Sequence, residues 1–470
     1  MNDVDPRHDG GLDTGRRGEA RRLLDRAVVR FAGEPVGTVA AADTEAAAVN
    51  YDQVFVRDFV PAALYYLAEG EPAIVRQFLV RSRELQASER SMDCYRPGAG
   101  LIPASFKVAE DGRSLVPDFG GHAIGRVAPV DASLWWLYLL RAYTRATGDR
   151  ALAAAPASQE AIKAILELCL IGRFDMYPTL LVPDGAFMVD RRLGVYGYPL
   201  EIQALLVMAL RSADELLADA DDGWAYREAV AERLGKLVHY VRTYYWLDFP
   251  GLNRMYRYAT EEYGETAVNA FNIVPDAIPE WLTEWLPEPG GYLAGNLGPS
   301  RMDFRFFTQG NLLAVLAGLA SAEQARAILT LIATRSDDLI GAMPMKLCYP
   351  ALEGQDWRTV TGCDPKNVPW SYHNGGNWPV FLWLLAAAGR QGGRPELAGQ
   401  HLGAAVERLG QTEWPEYFDG RRGRLVGKQA RRFQTWTVAG ALLAERFLAD
   451  PDLLAWTAFP DDLTGEPCAI

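Results

Sequence analysis

Residues 223–246 read GWAYREAVAERLGKLVHYVRTYYW. Within them Val230, Leu234, Leu237, Val238, Val241 and Tyr245 recur at helical spacing, laying one apolar stripe along an α-helix. The same period returns along the chain. Ser321 with Gln324 makes a capping box ahead of an apolar run. Asn377-Trp378-Pro379 sets a cap and an early proline before the run to Ala388. Comparable patterns lie near 17–31, 58–68, 72–88, 131–147, 158–171, 198–218, 311–319, 394–409 and 433–448. The pattern predicts about a dozen helices and few strands. Between them run long segments, 89–130, 173–197, 247–310 and 341–376, rich in Gly, Pro, Asp, Arg and aromatic residues. Long loops in a compact domain are functional or disordered, and these are too aromatic for disorder. Paired helices with such loops predict an all-α barrel with its site at one end. An α-solenoid would show a fixed sequence period, and none is found.

The chain has 470 residues, 49% hydrophobic and 23% charged, enough apolar material for a large core. A formal net charge of −13 argues against nucleic acid or an anionic membrane as partner. The five cysteines, Cys94, Cys169, Cys348, Cys363 and Cys468, are scattered, which disfavours a disulfide framework or a zinc site and fits a reducing compartment. No HExxH occurs, so no metal is expected. Residues 1–22 have no apolar core for a signal peptide, and Trp378–Ala388 is too short to span a bilayer. A cytoplasmic protein is expected, with residues 1–20 a flexible tail and 21–470 a single domain.

Six clusters could carry chemistry. Arg57-Asp58 ends an aromatic run that includes Tyr51 and Phe55; Asp58 also reads as a helix cap. Asp131 precedes Trp135-Trp136 and has the same two readings. Asp190 lies between an apolar run and Arg191-Arg192, where a salt bridge is the plain alternative. Asp303 and Arg305 alternate with phenylalanines. The densest cluster holds Asp364, Lys366, Asn367, Trp370, His373, Asn374 and Asn377. In Trp414-Pro415-Glu416-Tyr417-Phe418, an acid set among apolar side chains would be partly desolvated, which raises its pKa and suits proton transfer. Gln429 and Arg431 follow. Aromatic faces beside carboxylates suit a sugar ring, and two further carboxylates suit glycoside cleavage.

Together the stretches YDQVFVRDFVPAAL (51–64), FMVDRRLGVYGYPLEIQAL (187–205), TGCDPKNVPWSYHNGGNWPVFLWLL (361–385), WPEYFDG (414–420) and GRLVGKQARRFQTW (423–436) resemble the alkaline/neutral invertases, glycoside hydrolase family 100. The resemblance runs from about Asn50 to Asp450. It implies an (α/α)6 barrel that hydrolyses sucrose to glucose and fructose with inversion and no cofactor. It implies Asp190 as general acid and Glu416 as general base. Arg57 and Asp58 resemble glucose-binding pairs of related barrels. Asp131, Asp303, Arg305, Trp370, His373, Asn374, Gln429 and Arg431 are the remaining expected sugar contacts. The expected partner is a small-molecule sugar, with homo-oligomerisation left open. Two positions depart from the family pattern: Gly121-His122 replaces Glu-Ser, and Asn377 replaces Ser. Both are expected on the fructose side. Three alternatives stay open: hydrolysis of another α-glucoside, a catalytically idle sugar-binding protein, and glucosyl transfer to phosphate.

Overall fold

The computed structural model describes residues 13–45, 49–89, 98–121, 129–171, 176–182, 187–189, 191–195, 197–219, 223–257 and 269–465. Twelve of the helices among these residues build the framework. In chain order they are α1 (Thr14–Arg26), α2 (Val56–Ala68), α3 (Pro72–Glu84), α4 (Asp131–Thr147), α5 (Pro156–Cys169) and α6 (Leu200–Leu216). They continue with α7 (Gly223–Tyr240), α8 (Thr308–Leu316), α9 (Ala322–Thr334), α10 (Leu382–Gln391), α11 (Glu396–Gln411) and α12 (Thr435–Ala449). The even-numbered helices touch in a closed ring, α2 to α4 to α6 to α8 to α10 to α12 and back to α2. The odd-numbered helices pack outside that ring. This is the expected all-α (α/α)6 barrel.

Composition assigns each helix to its layer. Every residue of α8 is buried, as are Asp131 to Thr144 of α4. Helices apolar on all sides belong inside. On α7 the predicted stripe of Val230, Leu234, Leu237 and Val238 is buried, while Glu228 and Glu232 are exposed. Its end differs from expectation: α7 stops at Tyr240, and Val241–Tyr245 form a π-helical turn.

The connections are unequal. Links from an inner to the next outer helix are short, such as 69–71 after α2 and 392–395 after α10. Links from outer to inner are long: 85–130, 170–199, 241–307 and 335–381. Every long link therefore delivers the chain to the N-terminus of an inner helix.

Two expectations need correction. Residues 14–20, expected in the tail, are the first turns of α1. Asp13 accepts from Gly15 N–H to start it, and Arg16 pairs with Glu407 of α11 at 2.9 Å. The ion pair ties the segment to α11. The helix expected to reach residue 31 stops at Arg26, and Val28–Phe31 (β1) pairs antiparallel with Glu34–Thr38 (β2). β-Branched Val28 and Val29 favour a strand. Ala32 and Gly33, with φ of 50° and 85°, make the tight turn.

Leu206 of α6 is fully buried within the ring. Leu206→Ala is expected to lower stability by about 2–5 kcal/mol, read from the urea unfolding midpoint.

Candidate active site

The first turns of the inner helices meet. The two-residue strand β3 (Val54–Phe55) pairs with β4 (Ser105–Val108), which pairs with β5 (Leu115–Asp118). β3 runs straight into α2 and puts Arg57 and Asp58 in its first turn. Arg57 Nη1 donates to Asp131 Oδ2 at 2.7 Å, at the start of α4. Its Nε lies 3.6 Å from Asp58 Oδ1. Glu201 opens α6, and Gln309 of α8 donates to its Oε1 at 3.2 Å. Beneath them a cavity of about 20 Å³ is lined by Arg57, Trp135, Gln309, Val380, Trp383 and Trp436. That is room for about one water. Helix N-termini carry partial positive charge, so converging ones favour carboxylates.

Neither Asp58 nor Asp131 caps a helix as expected of the plain alternative. Phe55 occupies the N-cap of α2, and Val130 that of α4. Asp58 Oδ1 is buried without a hydrogen-bond partner among the described residues. Burial pushes the Asp58 carboxyl up to about 7, Arg57 opposing and Glu416 and Asp131 adding. Burial likewise raises Asp131 against the pull of Arg57. Glu201 is pushed up to about 8 by burial and by Asp131, with Met188 N–H and Arg57 opposing.

Glu416 reaches the same place from the loop before α12. Its backbone N–H donates to Arg431 O at 2.8 Å, and Phe418 pairs with Asn377 on the neighbouring loop. The side chain is 3% exposed. Tyr51 Oη donates to Glu416 Oε1 at 2.8 Å, while Oε2 has no partner among the described residues. Burial raises the carboxyl above its usual range, opposed by Lys366, the Tyr51 hydrogen bond and Arg431. The Arg431 guanidinium lies 4.9 Å from the Tyr51 ring centre. Among the described residues one oxygen is held and the other has no partner, which suits a base that accepts a proton from water.

The other expected contacts divide. Arg305 grips Asp303 through two nitrogens and donates to Leu193 O at 3.0 Å, tying this pair to the 191–195 segment. Trp370 Nε1 donates to Glu353 Oε1 at 2.6 Å. His373 is buried and stacks on Tyr372 with ring centres 3.9 Å apart. Asn374 spends its amide on Leu352 and Asn367 backbone groups and braces its loop. Gln429 is exposed, with φ of 56°. Asn377, expected on the fructose side, is fully buried and donates to the carbonyls of Ile340 and Met343. Gly121 N–H donates to Asp118 Oδ1 at 2.7 Å. Asp190 and His122 lie outside the described residues.

Residue reasoning missed Glu201 and Gln309, and named Tyr51 and Lys366 within their clusters without a role. Glu201 had a signal: a carboxylate in the run Leu200 to Leu210, where helical period leaves no solvent face.

Residues 20–451 match the family model for alkaline and neutral invertase. The chain belongs to this family. It is 54% identical over 455 residues to cytosolic invertase 1 of Oryza sativa subsp. japonica, covering 96% of this chain and 81% of that one. It is 52% identical to probable alkaline/neutral invertase D of Arabidopsis thaliana, covering 96% and 85%. Another similar protein, at 52% over 93% of this chain and 68% of its own, is alkaline/neutral invertase C, mitochondrial, of Arabidopsis thaliana. Among solved structures a wild-type glycosidase superposes with TM-score 0.53 at 14% identity, covering 93% of this chain and 99% of that one. A bacterial glucoamylase complexed with acarbose gives 0.50 at 12% identity, covering 95% and 58%. These two share the fold. As an invertase-family member the chain is a glycoside hydrolase.

The raised Asp58 carboxyl has a measurable effect. An unfolded Asp gives up its proton near pH 4, about three units earlier. Stability therefore falls as pH rises between about 4 and 7, and the deficit is complete above 7. Asp58→Asn is expected to raise the thermal midpoint by about 1–3 °C at pH 8 and to leave it unchanged near pH 4, by calorimetry.

Proposed function

We propose that the chain hydrolyses sucrose to glucose and fructose with inversion at the glucosyl carbon. Family membership supports the substrate. The observation that carries the chemistry is Glu416: buried, held at Oε1 by Tyr51, with Oε2 lacking a hydrogen-bond partner among the described residues. In this reading ionised Glu416 takes a proton from water through Oε2 as that water attacks the anomeric carbon. Asp190, protonated, donates to the oxygen that bridges the two sugars. The glucosyl ring develops oxocarbenium character between the two events. Inversion needs about 6.5–9.5 Å between the carboxyl groups, so that the water fits. Arg57, Asp58 and Asp131 are the proposed holders of the glucosyl hydroxyls. Asp58, whose carboxyl burial pushes up to about 7, can both donate and accept there. Asp303 and Arg305, anchored to the segment that follows Asp190, are proposed at its flank. The cytoplasm is the proposed location, supported by the scattered cysteines and by the name of the rice relative.

The test is proton NMR of the first glucose released from sucrose, beside a panel of other α-glucosides. β-Glucose appearing first supports inversion, and α-glucose first overturns it. Cleavage of a different glucoside alone would move the substrate and leave the barrel and Glu416 where they are. Asp190→Asn and Glu416→Gln are each expected to cut kcat by about two to four orders of magnitude.

Tyr51→Phe removes a donor to the ionised form of Glu416, so the base becomes harder to ionise. The acidic limb of kcat/KM against pH is expected to move up by about one unit, since a hydrogen bond to a charged group contributes about 1.5–3 kcal/mol. An unmoved limb would separate Tyr51 from the base.

A further inference from the structure

Glu201 sits in the first turn of α6 with 4% exposure. Its Oε1 accepts two hydrogen bonds, from Met188 N–H at 3.1 Å and from Gln309 Nε2 at 3.2 Å. Its Oε2 is buried without a partner among the described residues. Leu200 and Ile202 on either side are fully buried. A leucine here would fill the space without the desolvation that a carboxyl suffers. What the carboxyl supplies, and leucine would not, is an acceptor aimed at one backbone N–H. That N–H belongs to Met188, which with Val189 is packed into the core at 2% and 4% exposure. Asp190 is the next residue in the chain.

We propose that Glu201 is a positioning residue for the loop that carries Asp190. Gln309 of α8 orients the carboxyl, the carboxyl grips Met188 N–H, and the grip fixes the backbone two residues before Asp190 in the chain. The first turns of α6 and α8 thus fix the backbone at Met188. A shift of about 1 Å at a reacting group can cost about a hundredfold in rate, so one such anchor is enough to matter. Among the described residues, the charged groups facing Glu201 are Asp131 of α4 and Arg57 of α2. Burial and Asp131 favour the neutral carboxyl, of which the amide of Gln is a close mimic. The proposal rests on the reading of Asp190 as general acid.

The experiment measures sucrose hydrolysis at pH 7 by purified full-length variants, with thermal midpoints recorded in parallel. Glu201→Leu is expected to lower kcat about ten- to hundredfold while KM stays within about threefold. Glu201→Gln, which keeps the acceptor, is expected to recover about tenfold or more of that loss. A role confined to stability would shift the midpoints and leave kcat per folded molecule alone. The proposal fails if Glu201→Leu keeps kcat within about twofold of wild type, or if Glu201→Gln is as slow as Glu201→Leu. Should Glu201→Leu not fold, Glu201→Asp replaces it. That variant keeps a carboxyl but withdraws it by one methylene, so the same kcat loss supports the grip and wild-type kcat overturns it. Asp190→Asn is assayed alongside. Activity retained there sinks the acid assignment itself, whereas an inactive Asp190→Asn beside an unaffected Glu201→Leu sinks only the positioning role.

Discussion

Arg57 has a carboxylate on either side. Its bond to Asp131 joins the first turns of α2 and α4, two inner helices far apart in sequence. A partly buried guanidinium with no anion would be destabilising, and buried Asp131 without its cation would be more so. Each therefore demands the other, and the demand can be met only where the inner N-termini converge. Glu201 and Gln309 continue the same contact round the ring to α6 and α8. The closed ring supplies rigidity, and the polar centre fixes which way the helices must face.

That centre holds an imbalance. Asp58, Asp131, Glu201 and Glu416 share one region with Arg57 in their midst and Lys366 and Arg431 nearer Glu416. Burial raises all four carboxyls, and neighbouring carboxylates add to it at Asp58 and Glu201. A set of acids that cannot all be ionised at once is poor for stability and good for handling protons and hydroxyls. The free oxygens of Asp58, Glu201 and Glu416 are the local form of that imbalance. Among the described residues they have no hydrogen-bond partner, in a site whose expected occupant is covered with hydroxyl groups.

Helical period made the barrel legible, because each inner helix is apolar on all sides and each outer one on a single stripe. The hairpin at Val28–Thr38 was not legible, since a four-residue strand following a helix extends the apolar run without a break. In the site, Arg57, Asp58, Asp131, Glu416 and Arg431 come together as the motifs suggested. Glu416 among Trp414, Pro415 and Tyr417 advertised its own desolvation. Tyr51 was invisible as a partner of Glu416 because 365 residues separate them and local pattern carries no information about such pairs. Asn374 and Asn377 misled in the opposite sense. They stand in the most suggestive stretch of the chain, yet their amides serve the backbone. A tightly wound loop needs side-chain donors for its own carbonyls, and its composition then looks like that of a binding site.

The uneven connections divide the molecule into a part that can vary and a part that cannot. Lengthening a loop costs little, about 0.6 kcal/mol for each doubling. All the long links open on the end where sugar is expected to bind, and the short ones close the opposite end. Insertions can therefore reshape the mouth of the barrel, and with it the choice of glycoside, without disturbing a single ring contact. The far end has no such slack: three residues join α2 to α3, and any added there must bulge away from packed helices. Such a barrel can exchange one substrate for another through its rim while its framework stays the same.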